Sequence, residues 1–135
     1  MFVDTSAWAS LFAPVDPDHS RFVEIVKDFR RNSGVVVTTN YIVAELMALL
    51  TSPYRVPRPP QIEILNAILS APWVEVIHID PATEARSREL FSARPDKMWS
   101  LVDCTSFVVM QDKGIQSALL SDRHFEEAGF QRVLR

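Results

Sequence analysis

Cysteine is nearly missing from this chain. Cys104 stands alone among 135 residues, so no internal disulfide can form, and a reducing cytoplasm is the expected compartment. Set in the largely apolar stretch from Leu101 to Met110, it reads as a packing residue. No apolar run approaches the roughly 18 to 20 residues that a spanning helix needs, and the N-terminus runs into Phe2-Val3-Asp4 without a basic start or a cleavage site. Neither membrane insertion nor export is expected. No G-x-x-x-x-G-K-S/T, G-x-S-x-G or G-x-G-x-x-G motif occurs, which removes P-loop, α/β-hydrolase and dinucleotide-binding readings. His19, His78 and His124 are scattered without zinc-ligand spacing. A cationic excess is lacking too: net charge is −3, which argues weakly against nucleic acid held over a broad basic face. If several acids cluster at one site and are neutralised by cations, the remaining surface is roughly balanced.

What is present describes one ordinary globular domain spanning residues 1–135, with 47% hydrophobic and 23% charged residues. Glycine is scarce, and each of the three stands between a helical and a strand pattern, the placement of a helix C-cap. Before Gly34 runs the stripe Phe22, Ile25, Val26, Phe29, opened by Asp16-Pro17 as cap and first-turn proline; after it come Val35, Val36 and Val37. A helix from about Ser100 to Lys113 ends at Gly114 and is followed by the strand pattern Ser117 to Ser121. Gly129 precedes a last one, Phe130 to Leu134. Phe2 to Asp4 and Trp73 to Ile79 add two more strands, the second ending at another cap and proline, Asp80-Pro81. Alternating strands and helices predict a mainly parallel sheet covered on both faces. Thr51 to Pro60, rich in proline, reads as a stiff connection inside the domain.

Ligands of open parallel sheets bind beyond the carboxyl ends of the strands, which gives weight to Asp4 and Asp122. Taken singly, either is equally an N-cap of the next helix. Glu45 is the stronger anomaly: its helical neighbours Tyr41, Ile42, Ala48 and Leu49 include no basic partner. It is either one solvated position on an apolar helix or a metal ligand, because burying an unpaired carboxylate costs several kcal/mol. Asp103 opens another apolar helix, and its spacing from Ser100 is that of a capping box, a role compatible with metal binding. Four clustered acids cannot all stay ionised without cations. Oxygen-only ligation favours Mg²⁺ or Mn²⁺, and such ions suit phosphodiester hydrolysis by an activated water. A phosphate-transferring aspartate enzyme with Asp4 as nucleophile needs a second aspartate and a lysine nearby, which residues 5 to 12 do not supply.

In Phe2-Val3-Asp4-Thr5-Ser6, Val43-Ala44-Glu45-Leu46, Trp99-Ser100-Leu101-Val102-Asp103-Cys104-Thr105-Ser106-Phe107 and Leu120-Ser121-Asp122-Arg123-His124-Phe125, the chain resembles PIN domains, and in detail the VapC-type toxins of toxin-antitoxin pairs. The resemblance covers the whole chain. It implies a three-layer α/β/α sandwich and a Mg²⁺- or Mn²⁺-dependent endoribonuclease. It further implies a homodimer and inhibition by an antitoxin whose tail occludes the acidic pocket. Asp4, Glu45 and Asp103 would be the principal ligands, Asp122 a fourth acid, and Thr5, Ser6 and Ser121 polar supports. Many relatives carry a further acid where Arg123, His124 and Phe125 follow Asp122 here, which leaves one or two ions open. A non-catalytic PIN-fold RNA-binding or interaction module is the alternative.

For RNA contact the sequence offers Tyr54, Arg55 and Arg58 in the proline-rich connection, Arg94, Lys97 and Trp99 before Asp103, and Arg123 with His124 beside Asp122. Ordinary loop solvation and a core tryptophan are the favoured reading of the first two groups.

Overall fold

Short runs of β-branched and other apolar residues, too brief for helices, build the centre of the molecule. The computed structural model describes residues 1–120 and 124–133. The strands are β1 (Phe2–Val3), β2 (Val36–Thr39), β3 (Val74–Ile77), β4 (Ser117–Leu119) and β5 (Gln131–Arg132). They form one parallel sheet in the order β3-β2-β1-β4-β5, with Phe2 opposite both Val37 and Ala118, and Val3 opposite Leu119. Every residue of β1 and β2 is buried, as expected of a parallel sheet covered on both sides.

Helices α1 (Thr5–Phe12), α2 (His19–Arg31), α3 (Asn40–Thr51), α4 (Arg58–Ser70), α5 (Pro81–Ala93), α6 (Leu101–Lys113) and α7 (His124–Glu127) flank the sheet in a three-layer α/β/α sandwich. One core joins Phe2, Trp8, Phe22, Leu46, Met110 and Leu119, all nearly free of solvent. Each such side chain contributes about 1.5–3 kcal/mol by burial. No helix among the described residues is long and apolar enough to cross a membrane.

Several expected boundaries move. Helix α2 begins at His19, not at Pro17: Asp16 Oδ1 accepts from Asp18 N (2.8 Å) and Asp16 O from His19 N (3.1 Å), so Asp16-Pro17 forms a turn before the helix. The proline-rich connection ends earlier than expected, because Arg58, Pro59 and Pro60 form the first turn of α4, where missing N–H groups cost nothing. Gly114 is the left-handed cap of α6 (φ 66°), with Ile115 N donating to Met110 O. At Gly34 the reason for glycine is different. Ser33 takes the positive φ, while a Cβ on Gly34 would stand 2.4 Å from the Phe29 ring. The strands are also shorter than the apolar runs that announced them, β4 ending at Leu119 and β5 at Arg132.

Candidate active site

The strand order puts β1 in the middle. The chain steps from β1 to β2 and β3 on one side, then crosses to β4 and β5 on the other, so β1 and β4 flank the point where the order reverses. Sheets of this kind open a crevice there, beyond the strands' carboxyl ends. Asp4 is the first residue past β1, and its N–H donates to Leu119 O of β4 (3.1 Å). Its C=O accepts from Trp8 N (3.1 Å), which starts α1. Asp4 thus has the N-cap position, but its side chain makes no cap bond. Asp4 is only 4% exposed, a burial that capping does not explain.

Three elements bring further side chains to this point. Thr39 caps α3 by accepting from Ile42 N (3.1 Å), and the second turn of that helix delivers Glu45, whose Oε1 accepts from Thr5 Oγ1 on α1. The half-buried Glu45 that lacks a basic neighbour on its own helix therefore finds a hydroxyl on another. From α6 comes Asp103, its side chain 13% exposed. The capping box is complete: Ser100 Oγ accepts from Asp103 N, and Asp103 Oδ2 accepts from Ser100 N, both at 3.0 Å. The same Oδ2 lies 3.1 Å from His124 Nδ1 on α7. An ionised carboxylate only accepts, so the imidazole presents its proton on Nδ1. The cap and the imidazole both meet Oδ2, so the cap does not consume the second oxygen.

Asp4, Thr5, Ser6, Glu45, Asp103 and His124 line one cleft of about 480 Å³, with Ala48, Leu49 and Ser52 forming its wall. Sequence reasoning named the three acids, Thr5 and Ser6, and weighed His124 only as a neighbour of Asp122. The wall contributed by the end of α3 was missed, and only the register of Glu45 one turn earlier pointed to it. Asp122, Ser121 and Arg123 fall outside the described residues. Of the proposed RNA contacts, Arg55, Arg58 and Lys97 are not among the residues lining this cleft. Arg58 borders a separate groove between α3 and α4, and Lys97 pairs with Glu127 at 3.4 Å. Trp99 is 7% exposed, so its ring is no open stacking platform.

Among the described residues, no three carboxylate, histidine or cysteine side chains converge tightly enough to grip a bare ion. The donor set is nonetheless hard: three carboxylates without a thiolate. Mg²⁺ commonly keeps several waters and takes only one or two carboxylates directly, so an open acidic cleft of this chemistry fits a hydrated ion. Cys104, beside Asp103, is buried, and burial together with the Asp103 charge pushes its thiol up to about 11. It therefore stays protonated and offers no nucleophile.

Cap and cleft roles of α6 can be separated. Ser100→Ala removes the hydroxyl acceptor but leaves the backbone donor to Asp103 Oδ2. It is expected to cost roughly 0.5–2 kcal/mol in a urea titration, with little change in any activity of the cleft. Asp103→Asn is expected to do the reverse.

The chain belongs to the PIN-domain family, whose model matches residues 1–131, and within it to the VapC-type toxins. Among curated proteins it is 33% identical over 133 residues to the 23S rRNA-specific endonuclease VapC20 of Mycobacterium tuberculosis, covering 98% of this chain and 97% of that one. It is 25% identical over 126 residues to the ribonuclease VapC26 of the same organism, covering 93% and 89%. The crystal structure of VapC20, described as a sarcin-ricin loop cleaving toxin, superposes with a TM-score of 0.83 at 32% identity, covering 98% and 97%. That of FitAcB from Neisseria gonorrhoeae gives 0.66 at 14% identity, covering 99% and 96%, a likeness of fold alone.

Proposed function

We propose that this VapC-type endoribonuclease cuts RNA with the help of a divalent cation, Mg²⁺ or Mn²⁺, held by Asp4, Glu45 and Asp103, with Asp122 as a fourth acid. The observation that carries the reading is the assembly of Asp4, Glu45 and Asp103 in one cleft at the point where the strand order reverses. A bound cation would neutralise these acids, lower the pKa of a water and stabilise charge at the scissile phosphate. The chain's own residues set the stage. Thr5 orients Glu45, and Ser100 with His124 orients Asp103. Ser6 adds a polar group at the cleft wall.

The substrate class best supported is a structured loop of large-subunit ribosomal RNA. The support is full-length identity of 33% to an endonuclease named for 23S rRNA. An antitoxin that covers the cleft, a homodimeric state and a cytoplasmic location complete the proposal.

The test is cleavage of purified ribosomes, with ends mapped by primer extension, in Mg²⁺, in excess chelator, and after Mg²⁺ is restored. Expected is one dominant cut in the large-subunit RNA, lost on chelation and regained with the ion. Cleavage that persists undiminished in chelator would remove the cation from the proposal; cuts scattered over both subunits would remove the substrate assignment.

A further inference from the structure

Most basic side chains of this protein are already engaged. Among the described residues, every lysine and arginine except Arg55 and Arg58 has a carboxylate within 4.0 Å or, at Arg30, the Trp73 ring 4.5 Å from its guanidinium. An ion-paired cation that turns to a phosphate leaves its acid beside the RNA, so the pair as a whole attracts a polyanion little. Arg55 and Arg58 leave no such acid. Both are exposed, and both stand on one short segment, residues 52–58, that leaves the end of α3. Between α3 and these arginines lies Tyr54, 44% exposed, its side chain without a ring contact or hydrogen bond among the described residues. The cluster before Asp103 is the opposite. Asp96 holds Arg94 in two hydrogen bonds (3.0 and 2.9 Å), and Glu127 pairs with Lys97. Trp99 bounds an enclosed cavity of about 200 Å³ and packs edge to face on Phe107 (5.1 Å). Of the two clusters that the sequence offers for RNA contact ahead of Asp103, one is closed on itself and the other is open.

The open segment borders the acidic cleft. Ser52 lines the cleft, and Tyr54 N donates to the C=O of Leu49 (3.3 Å), another residue of its wall. Val56 N donates to Leu50 O (2.8 Å), so the segment folds back on the end of α3. Arg58 lines the groove between α3 and α4, which meets the cleft at Ala48, a residue of both. Arg55 has a positive φ of 52°, a conformation in which glycine or asparagine is less strained. The local backbone therefore gives no reason for arginine. The substrate gives one. RNA must enter a cleft lined by three carboxylates, and a net charge of −3 offers its phosphates no general attraction. We infer that Tyr54, Arg55 and Arg58 form an RNA-backbone clamp at the rim of the cleft: the two guanidinium groups hold phosphates flanking the cut, and the Tyr54 ring stacks on an adjacent base. The guanidinium fork matches phosphate geometry, and an exposed aromatic beside it suits single-stranded or looped RNA. The inference rests on the endoribonuclease reading above and adds to it the residues that lay the RNA across the acids.

Affinity and cleavage are measured separately. Asp4→Asn protein, which keeps the clamp, is titrated into a labelled single-stranded RNA of mixed sequence, read by fluorescence anisotropy over about 50 to 200 mM KCl; phosphate contacts do not depend on sequence. Adding Arg55→Asn or Arg58→Gln is expected to flatten the plot of log affinity against log salt by about 0.7 each, the value of one phosphate on a single strand, and by about 1.4 together. Arg55→Lys should keep the slope, and Tyr54→Ser should weaken binding about ten-fold with the slope unchanged. Arg31→Gln makes the same change in net charge at an ion-paired site on α2 and should leave the slope alone. With Asp4 restored, the variants of Arg55 and Arg58 should raise KM for ribosome cleavage and keep kcat within about two-fold. Asparagine suits the positive φ of residue 55, so an undiminished melting temperature in Arg55→Asn separates loss of the clamp from loss of the fold. An unchanged slope in both arginine variants would overturn the clamp, as would an equal loss in Arg31→Gln or the absence of RNA binding. Arginines that matter only for inhibition by a protein partner would overturn it too. Wild-type protein that binds RNA through these arginines yet cuts none would leave the clamp standing and strike the nuclease reading beneath it.

Discussion

Asp4→Asn is expected to lower RNA cleavage about a thousand-fold or more while the melting temperature stays unchanged or rises slightly. Asparagine has the size and shape of aspartate, and the backbone of residue 4 is held at both ends, by Leu119 O and by Trp8 N. The turn from β1 into α1 should therefore survive. What changes is charge. Asp4 is nearly buried in a cleft shared with Glu45 and Asp103, and losing one of three neighbouring negative charges relieves repulsion in the cation-free protein. For catalysis the same loss is severe. Removing a single neutral hydrogen-bond donor from a preorganised site costs roughly 10²–10³ in rate, and a carboxylate that positions a cation contributes more. The measurement is kcat/KM on labelled RNA beside a thermal melt in the same buffer. Cleavage near the wild-type rate would exclude Asp4 from the site. A collapse of the melting temperature would make its role structural.

This pairing of outcomes separates Asp4 from Asp103. For Asp103 a capping role and a place in the cleft coexist on one side chain, so its variant is read beside Ser100→Ala. At Asp4 the N-cap position is filled without a cap bond, so a capping role does not confuse the reading there.

The sequence made the acids legible for local reasons. Asp4 ends an apolar strand, Glu45 interrupts an apolar helix, and Asp103 keeps capping-box spacing from Ser100. Each of these is written within a few residues. The partners that orient them are not. Thr5 and Glu45 lie 40 positions apart, and His124 meets Asp103 across 21. Only the crossing of the chain from one half of the sheet to the other brings them together. The same limit explains Trp99. As a letter beside Arg94 and Lys97 it looks like an exposed stacking residue or a core tryptophan; folded, it is buried, yet it walls a cavity. Gly34 shows a correct boundary reached for an incomplete reason, since the need for glycine comes from the Phe29 ring and not from the backbone angle. Asp16-Pro17 shows the converse: a cap-like dipeptide closes a turn of its own and leaves the helix to begin at His19.

Trp8→Ala should produce the largest loss of stability, about 3–5 kcal/mol, a substantial part of the roughly 5–15 kcal/mol that holds a domain together. Trp8 is 1% exposed and lies between Phe12 (6.3 Å between centroids, 19°) and Trp73 (6.5 Å). Truncation opens a cavity beneath α1 that neighbouring rings cannot fill. It also breaks a buried polar chain in which Trp8 Nε1 donates to Thr38 Oγ1 (3.2 Å) and Thr38 Oγ1 donates to Val3 O (3.1 Å). Val3 is the residue before Asp4, so the chain ties the indole to the strand end that presents the first acid. For a domain of this length the melting temperature should fall by roughly 10–20 °C, and cleavage should weaken even well below the transition, as α1 and its Thr5 lose their seat. Trp8→Phe divides the effect: most of the packing returns, and the remaining loss, about 1–3 kcal/mol, reports the indole N–H. Adding Thr38→Val to Trp8→Phe should cost less than the sum of the single changes, because the second substitution removes the hydroxyl that the first deprives of its donor. Strict additivity in urea titrations would show that the Trp8–Thr38 bond contributes nothing, and a Trp8→Ala loss under about 1 kcal/mol would show that α1 is not anchored through this ring.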